Sequence, residues 1–283
     1  MSRRGPKLSG PNFAKLMVVA EKTRYPFSAY PRTRCKDLLF AGCALPSQCP
    51  RTTDALARLC RSHGCGVVYD CCGKPLADWG EARAAGRALD RLAGRLRRLG
   101  CERLVVACPN CLDYLQGHLA VPCISVYEAL AGWGFSPAVP LPAGVLFSPC
   151  PDRRGRRLEG QLRALADLSA VPTLERVPCC GLRADAAARG AGFAAGCARR
   201  VFEAAEGRRI YTLCASCSGQ FARLGHGGVR HALSAILGVD EKPDCRHALA
   251  NRARRRFDRD LEPLAAPCNA GVFSPAQQNG GRP

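Results

Sequence analysis

Ten cysteines of this chain stand in two matched groups whose residue type suits metal rather than acid–base chemistry. The first group is Cys43, then Cys71-Cys72-Gly73, then Cys108-Pro109-Asn110-Cys111. The second is Cys150, then Cys179-Cys180-Gly181, then Cys214-Ala215-Ser216-Cys217. From the lone cysteine to the pair there are 27 intervening residues in the first group and 28 in the second. From the pair to the C-x-x-C there are 35 and 33. A single C-x-x-C is weak evidence, but two five-cysteine sets agreeing in order and spacing mark an internal duplication. Thiolate sulfur is a soft ligand that suits zinc and iron–sulfur cores. A closed zinc site takes four ligands, and ordinary cubane and two-iron clusters are likewise held by four. Five converging thiolates therefore exceed the need of either, and residue types alone leave both open.

The elements between the cysteines repeat as well. Asp37-Leu38-Leu39-Phe40 runs into Cys43, and Val145-Leu146-Phe147 runs into Cys150; both read as short buried strands. Leu104-Val105-Val106 and Ile210-Tyr211-Thr212-Leu213 end in the same way on the C-x-x-C pairs. Leu174 to Val177 is a poorer strand ahead of Cys179. A helix is expected around Ala55, Leu56, Leu59 and Cys60, with Thr52 or Thr53 as its N-cap, and another through Leu158, Leu162, Leu165 and Leu168. Longer helices follow each C-C-G, with stripes Leu89, Leu92, Leu96, Leu99 and Phe193, Cys197, Val201, Ala204, stopped by Gly100 and Gly207. Val126-Tyr127-Glu128-Ala129-Leu130 matches Arg230-His231-Ala232-Leu233-Ser234. Strands alternating with helices predict an α/β fold: two tandem, pseudo-twofold related domains of βαβ type with parallel sheets. Ligands of open α/β sheets bind beyond the carboxyl ends of the strands, where these cysteines fall. Gly73 and Gly181 are expected at the site, letting the backbone turn tightly beside the bound group.

Residues 1–34 read as an amino-terminal arm, an extended stretch made aromatic, proline-rich and basic by Arg24-Tyr25-Pro26-Phe27 and Tyr30-Pro31-Arg32. Residues 35–136 form the first cysteine-rich unit, 143–240 the second, and Pro137 to Pro142 the linker. Residues 241–283 read as a flexible basic tail. Cys60, Cys65, Cys101, Cys123 and Cys197 are expected in the core, Cys35 and Cys49 near Cys43 either as supports of the ligating thiols or as spare thiols, and Cys245 and Cys268 as exposed tail thiols.

The lone cysteine, C-C-G and C-x-x-C, present twice, resemble the cysteine-rich (CCG) domain pair found in the B-type component of heterodisulfide reductase. Related pairs occur in the iron–sulfur subunits of glycolate, lactate and anaerobic glycerol-3-phosphate oxidation systems. The resemblance covers roughly Asp37 to Gly238. It implies that Cys43, Cys71, Cys72, Cys108 and Cys111 hold one noncubane [4Fe-4S] cluster, and Cys150, Cys179, Cys180, Cys214 and Cys217 another. It further implies a redox subunit passing electrons to a disulfide or related acceptor in a multi-subunit complex. The other readings are an electron-transfer subunit of a 2-hydroxy acid or glycerol-3-phosphate dehydrogenase complex, and a non-catalytic zinc-stabilised interaction module.

Composition bounds the rest. Lys and Arg total 42 against 23 Asp and Glu, a formal charge of +19 that metal-bound thiolates would lower. No nucleic-acid motif accompanies the basic residues. The chain carries no C-x-x-C-x-x-C-x-x-x-C-P run and no G-x-G-x-x-G after a strand, so electrons are expected from a partner subunit, ferredoxin-like or a flavoprotein. An odd count of 19 cysteines, without an apolar run of signal-peptide or membrane-span length, is the pattern expected of a reducing cytoplasm.

Overall fold

The computed structural model describes residues 13–264. Two all-parallel sheets carry the fold. The first contains β1 (Asp37–Phe40), β2 (Gly66–Val68), β3 (Arg103–Val106) and β4 (Cys123–Ser125) in the order β2-β1-β3-β4. The second contains β5 (Val145–Phe147), β6 (Ile210–Thr212) and β7 (Val229–His231) in the order β5-β6-β7. Leu39 pairs with Val67 on one side and Val105 on the other, and Leu146 pairs with Tyr211. These short apolar runs are buried on both faces by crossover helices, as parallel sheets require. β4 and β7, which carry no clear strand signal in the sequence, occupy matching outer positions.

The halves differ where β2 would recur. Leu174 to Val177 forms no strand; Leu146 makes only an isolated parallel bridge to Thr173. Its amide donates to Pro172 O at 2.8 Å and its carbonyl accepts from Leu174 N at 2.8 Å. Pro172 and Pro178 have no amide hydrogen to continue a ladder, so the segment approaching Cys179 stays irregular.

The helices follow the apolar stripes with local shifts. Pro50–Ser62 starts earlier than the threonines suggested, with Pro50 at its first position and Cys49 as its cap. Ala82–Leu99 stops at Gly100, which sits at φ 67°. Ala191–Ala205 buries Cys197, Ala198, Val201 and Ala205, so Ala205 replaces Ala204 on the inner face. One continuous core joins the halves: Leu39, Val105 and Tyr127 share it with Leu146, Leu162, Tyr211 and Leu233. A smaller core behind the second sheet centres on Phe147, Val201 and Phe221.

Both ends of the described chain pack on the first half. The arm contains a helix, Phe13–Arg24, rather than extended chain throughout, and Ala29 then bridges Tyr69. Residues 241–264, expected as part of a flexible tail, are instead docked. Glu241 is buried and accepts from Arg51 N and Thr52 N at 2.8 Å each, capping the helix that starts at Pro50. Helix Ala248–Arg255 turns Arg255 inward until it is 1% exposed, donating to Asp54, to Asp258 at 3.0 Å and to Pro50 O at 2.9 Å. Leu261 O accepts from Val67 N at 2.8 Å on the open edge of β2. Composition hid this because a polar segment reads as solvated even when its charges find buried partners. Residues 265–283, and Cys268 with them, lie outside the described residues.

Candidate metal centre

Five of the seven described strands deliver cysteines of the two sets to one side of the molecule. β1 ends at Phe40 ahead of Cys43, β2 at Val68 ahead of Cys71 and Cys72, and β3 at Val106 ahead of Cys108. β5 ends at Phe147 ahead of Cys150, and β6 at Thr212 ahead of Cys214. Each C-x-x-C opens a helix, Pro109–Gln116 or Ala215–Arg223, whose first turn brings Cys111 and Cys217 back toward the strand ends. Eight of the ten thiols, Cys43, Cys72, Cys108, Cys111, Cys150, Cys180, Cys214 and Cys217, line one cavity of about 590 Å³. Cys71 lies buried behind its neighbour, and Cys179 faces a smaller cavity that Cys150 also borders.

The sulfurs are strung along the wall in hydrogen-bonded pairs. Cys217 donates to Cys180 at 3.3 Å, and Cys111 donates in the equivalent way to Cys72. Cys43 contacts Cys71. Cys108 contacts Cys214, and Asn110 Nδ2 donates to Cys214 Sγ at 3.5 Å. Cys108 and Cys214 are equivalent positions of the duplicated pattern. Equivalent residues meet only at the axis relating two copies, so this contact marks the pseudo-twofold. Among the described residues, no three Cys, His, Asp or Glu side chains close on one point as the ligands of a single metal ion do.

These contacts divide the protons unequally. Hydrogen bonds from Cys111, then Cys71, pull the Cys72 thiol down to about 6. Bonds from Cys108 and Cys217 hold Cys214 well below the ordinary thiol range, and Cys217 lowers Cys180. The donors move the other way: Cys111 is pushed up chiefly by its bond with Cys108, and Cys217 by its bond with Cys180. Thiolate is the form that binds metal, so these bonds bias Cys72, Cys180 and Cys214 toward the metal-binding form. Eight sulfur donors, gathered from both halves around one cavity, fit an iron–sulfur group in chemistry.

Gly73 and Gly181 hold φ of 86° and 88°. A Cβ on Gly181 would lie 2.5 Å from Ala194 O, and one on Gly73 would lie 3.1 Å from Ala88 Cβ. The glycines are thus demanded by the helix packed behind each C-C-G as well as by the left-handed turn.

Sequence reasoning missed the charged residues around the first set. Asp70, fully buried, accepts from Cys71 N at 2.7 Å, from Tyr30 Oη, and from Arg91 and Arg95 at 3.3 and 3.4 Å. A carboxylate ending a buried strand beside the C-C pair was the available signal. Lys22, also buried, pairs with Glu21 at 2.9 Å, and Arg252 reaches the same carboxylate at 3.0 Å. The field of Cys43 and Cys71 helps hold Lys22 above its ordinary range despite its burial, which acts the other way and is the largest influence. The remaining described thiols lie outside the larger cavity. Cys35, Cys49, Cys60, Cys65, Cys123 and Cys197 are buried and Cys101 is half-buried. Cys245, expected to be exposed, is half-buried and donates to Gly219 O at 3.1 Å. His226 and His231 make no metal site; His231 Nδ1 accepts from Leu233 N at 3.1 Å and caps helix Ala232–Ile236.

Residues 38–116 match the family model of the CCG cysteine-rich domain, a span that runs from β1 past Cys111. No curated protein matches the chain. Among the described residues, no helix is long and apolar enough to cross a membrane.

Proposed function

We propose that this chain is an iron–sulfur redox subunit that passes electrons to a disulfide or related acceptor within a heterodisulfide reductase-like complex. Each five-cysteine set would hold one [4Fe-4S] cluster of the noncubane type: Cys43, Cys71, Cys72, Cys108 and Cys111 the first, and Cys150, Cys179, Cys180, Cys214 and Cys217 the second. The observation that carries this reading is the single cavity lined by eight of those ten thiols, four from each half. A cluster, when bound, supplies electrons one at a time. Reducing a disulfide takes two electrons and two protons and yields two thiols, so a pair of adjacent one-electron centres matches the demand.

The chain's own residues shape the approach to that cavity. Trp79 and Leu182 stand at its mouth as exposed apolar groups, and they would cover the apolar part of an incoming molecule. Lys74, held by Asp78 at 2.9 Å, and Asp113 line the same cavity, so an incoming molecule meets both a cation and carboxylates there. The electrons come from a partner subunit, which the net charge of +19 suits to an acidic face.

Metal analysis tests the reading. Chain purified without oxygen should carry about eight irons and eight sulfides, as two four-iron clusters require, with a visible absorption that bleaches on reduction. Two zincs and no sulfide would instead make it a zinc-stabilised module.

A further inference from the structure

A second cavity, of about 280 Å³, opens beside the second cysteine set. Arg153, Arg183, Arg189 and Arg200 line it with Phe193, Cys150 and Cys179. No acidic side chain lines it among the described residues. Two of the guanidiniums are fixed in place. Arg153 donates to Val177 O at 2.7 Å and to Pro178 O at 2.8 Å, and its buried Nε has no partner. Arg189 lies 3.7 Å from the centre of the Phe193 ring. Phe193, Cys197 and Arg200 are spaced four and three residues apart on helix Ala191–Ala205, so they share the helix face that forms one wall.

Four like charges around a small concavity repel one another, and the cleft concentrates their field. An entering anion relieves that repulsion. The guanidinium fork matches two oxygens of one carboxylate or phosphate, and stacking on an aromatic ring orients the fork before binding. Cys150 borders both cavities, so a group held by the arginines can extend toward the thiol-lined space.

We infer that this cavity is an oxyanion site, taking the carboxylate or phosphate end of the small molecule that reacts in the larger cavity. The identity of that molecule as an electron acceptor rests on the proposed function; anion binding stands on the cavity alone.

The test uses the full chain, purified without oxygen, and the double variant Arg189→Ala/Arg200→Ala. Inorganic phosphate and succinate are each titrated by calorimetry in low-salt buffer, the first standing for a phosphate end and the second for a carboxylate end. At least one should bind the parent chain, and the double variant should weaken it tenfold or more with iron content and circular dichroism unchanged. In parallel, two equivalents of reduced viologen per disulfide reduce either dithiodiglycolate, which carries carboxylates, or neutral hydroxyethyl disulfide, each taking up two protons and releasing two thiols. The double variant should raise KM for the first tenfold or more and leave KM for the second in place. Absence of binding by the parent chain, or equal binding by both proteins, overturns the site. Loss of iron in a folded double variant with unchanged anion affinity also overturns it, because the arginines then serve the cysteine-bound group. Anion binding that responds to the arginines, with neither disulfide reduced, keeps the site and discards the redox reading.

Discussion

Cys72 and Cys180 hold the same place in each half: second thiol of the C-C pair, accepting from the last cysteine of the C-x-x-C. Replacing either should therefore act on one half. Cys72→Ser and Cys180→Ser are each expected to lose about half the iron of a two-cluster chain, because serine oxygen is a poor ligand for iron–sulfur cores. Cys245→Ser should keep all of it, since that thiol bonds a carbonyl outside the cavity. Iron content read beside circular dichroism separates ligand loss from unfolding, and equal loss in Cys72→Ser and Cys245→Ser while both stay folded would refute the assignment. His231 allows a different test. Its Nδ1 must stay unprotonated to accept from Leu233 N, and burial drops the imidazole to about 4. The unfolded chain takes up this proton near pH 6.5, so the unfolded state binds more protons between those values. Stability should accordingly be full above about pH 6.5 and fall as pH drops toward 4. His231→Asn keeps a capping side chain without the titration, and its denaturation midpoint should fall less over that interval.

At the scale of elements, the carboxyl-terminal helix is where polar sequence makes rigid structure. Arg255 ties Asp54 and Pro50 of one helix to Asp258 beyond its own. Arg255→Ala should cost about 3 kcal/mol, the low end for breaking a buried pair, because both carboxylates keep some water. A urea midpoint within error of the parent chain would contradict this. The same helix shows what sequence could and could not reveal. β1, β3, β5 and β6 were legible because each is an apolar run with no other use for its side chains. So were the cysteine sets, because spacing survives without knowledge of contacts. Helix Ala248–Arg255 was not, since its stability comes from partners two hundred residues away. β4 and β7 were not, because Cys123-Ile124-Ser125 and Val229-Arg230-His231 break the apolar run with polar residues. The bracing of Cys71 by Asp70, and of Asp70 by Tyr30, Arg91 and Arg95, depends on three separate elements meeting, which no local period encodes.

As a whole molecule, the chain joins two sets of thiols through one shared core, and it carries neither a ferredoxin-type cysteine run nor a dinucleotide-binding glycine motif. In the proposed function, electrons then reach it from a partner subunit. The purified chain is expected not to oxidise NADH by itself, and to turn over only with a partner subunit or a reduced viologen. A tightly held flavin, or NADH oxidation by the chain alone, would count against this.

The docking of residues 241–264 on the first half has a bearing on how the molecule comes into being. During synthesis the ribosome releases Cys43 to Cys111 long before Glu241, Arg255 and Leu261 emerge to cap the helix at Pro50 and cover the edge of β2. The first half is then a nascent intermediate with an uncovered strand edge until residues 241–264 emerge. Closure of its fold waits for that segment, and a chain halted after residue 240 should be captured by chaperones and lose its first half to proteolysis.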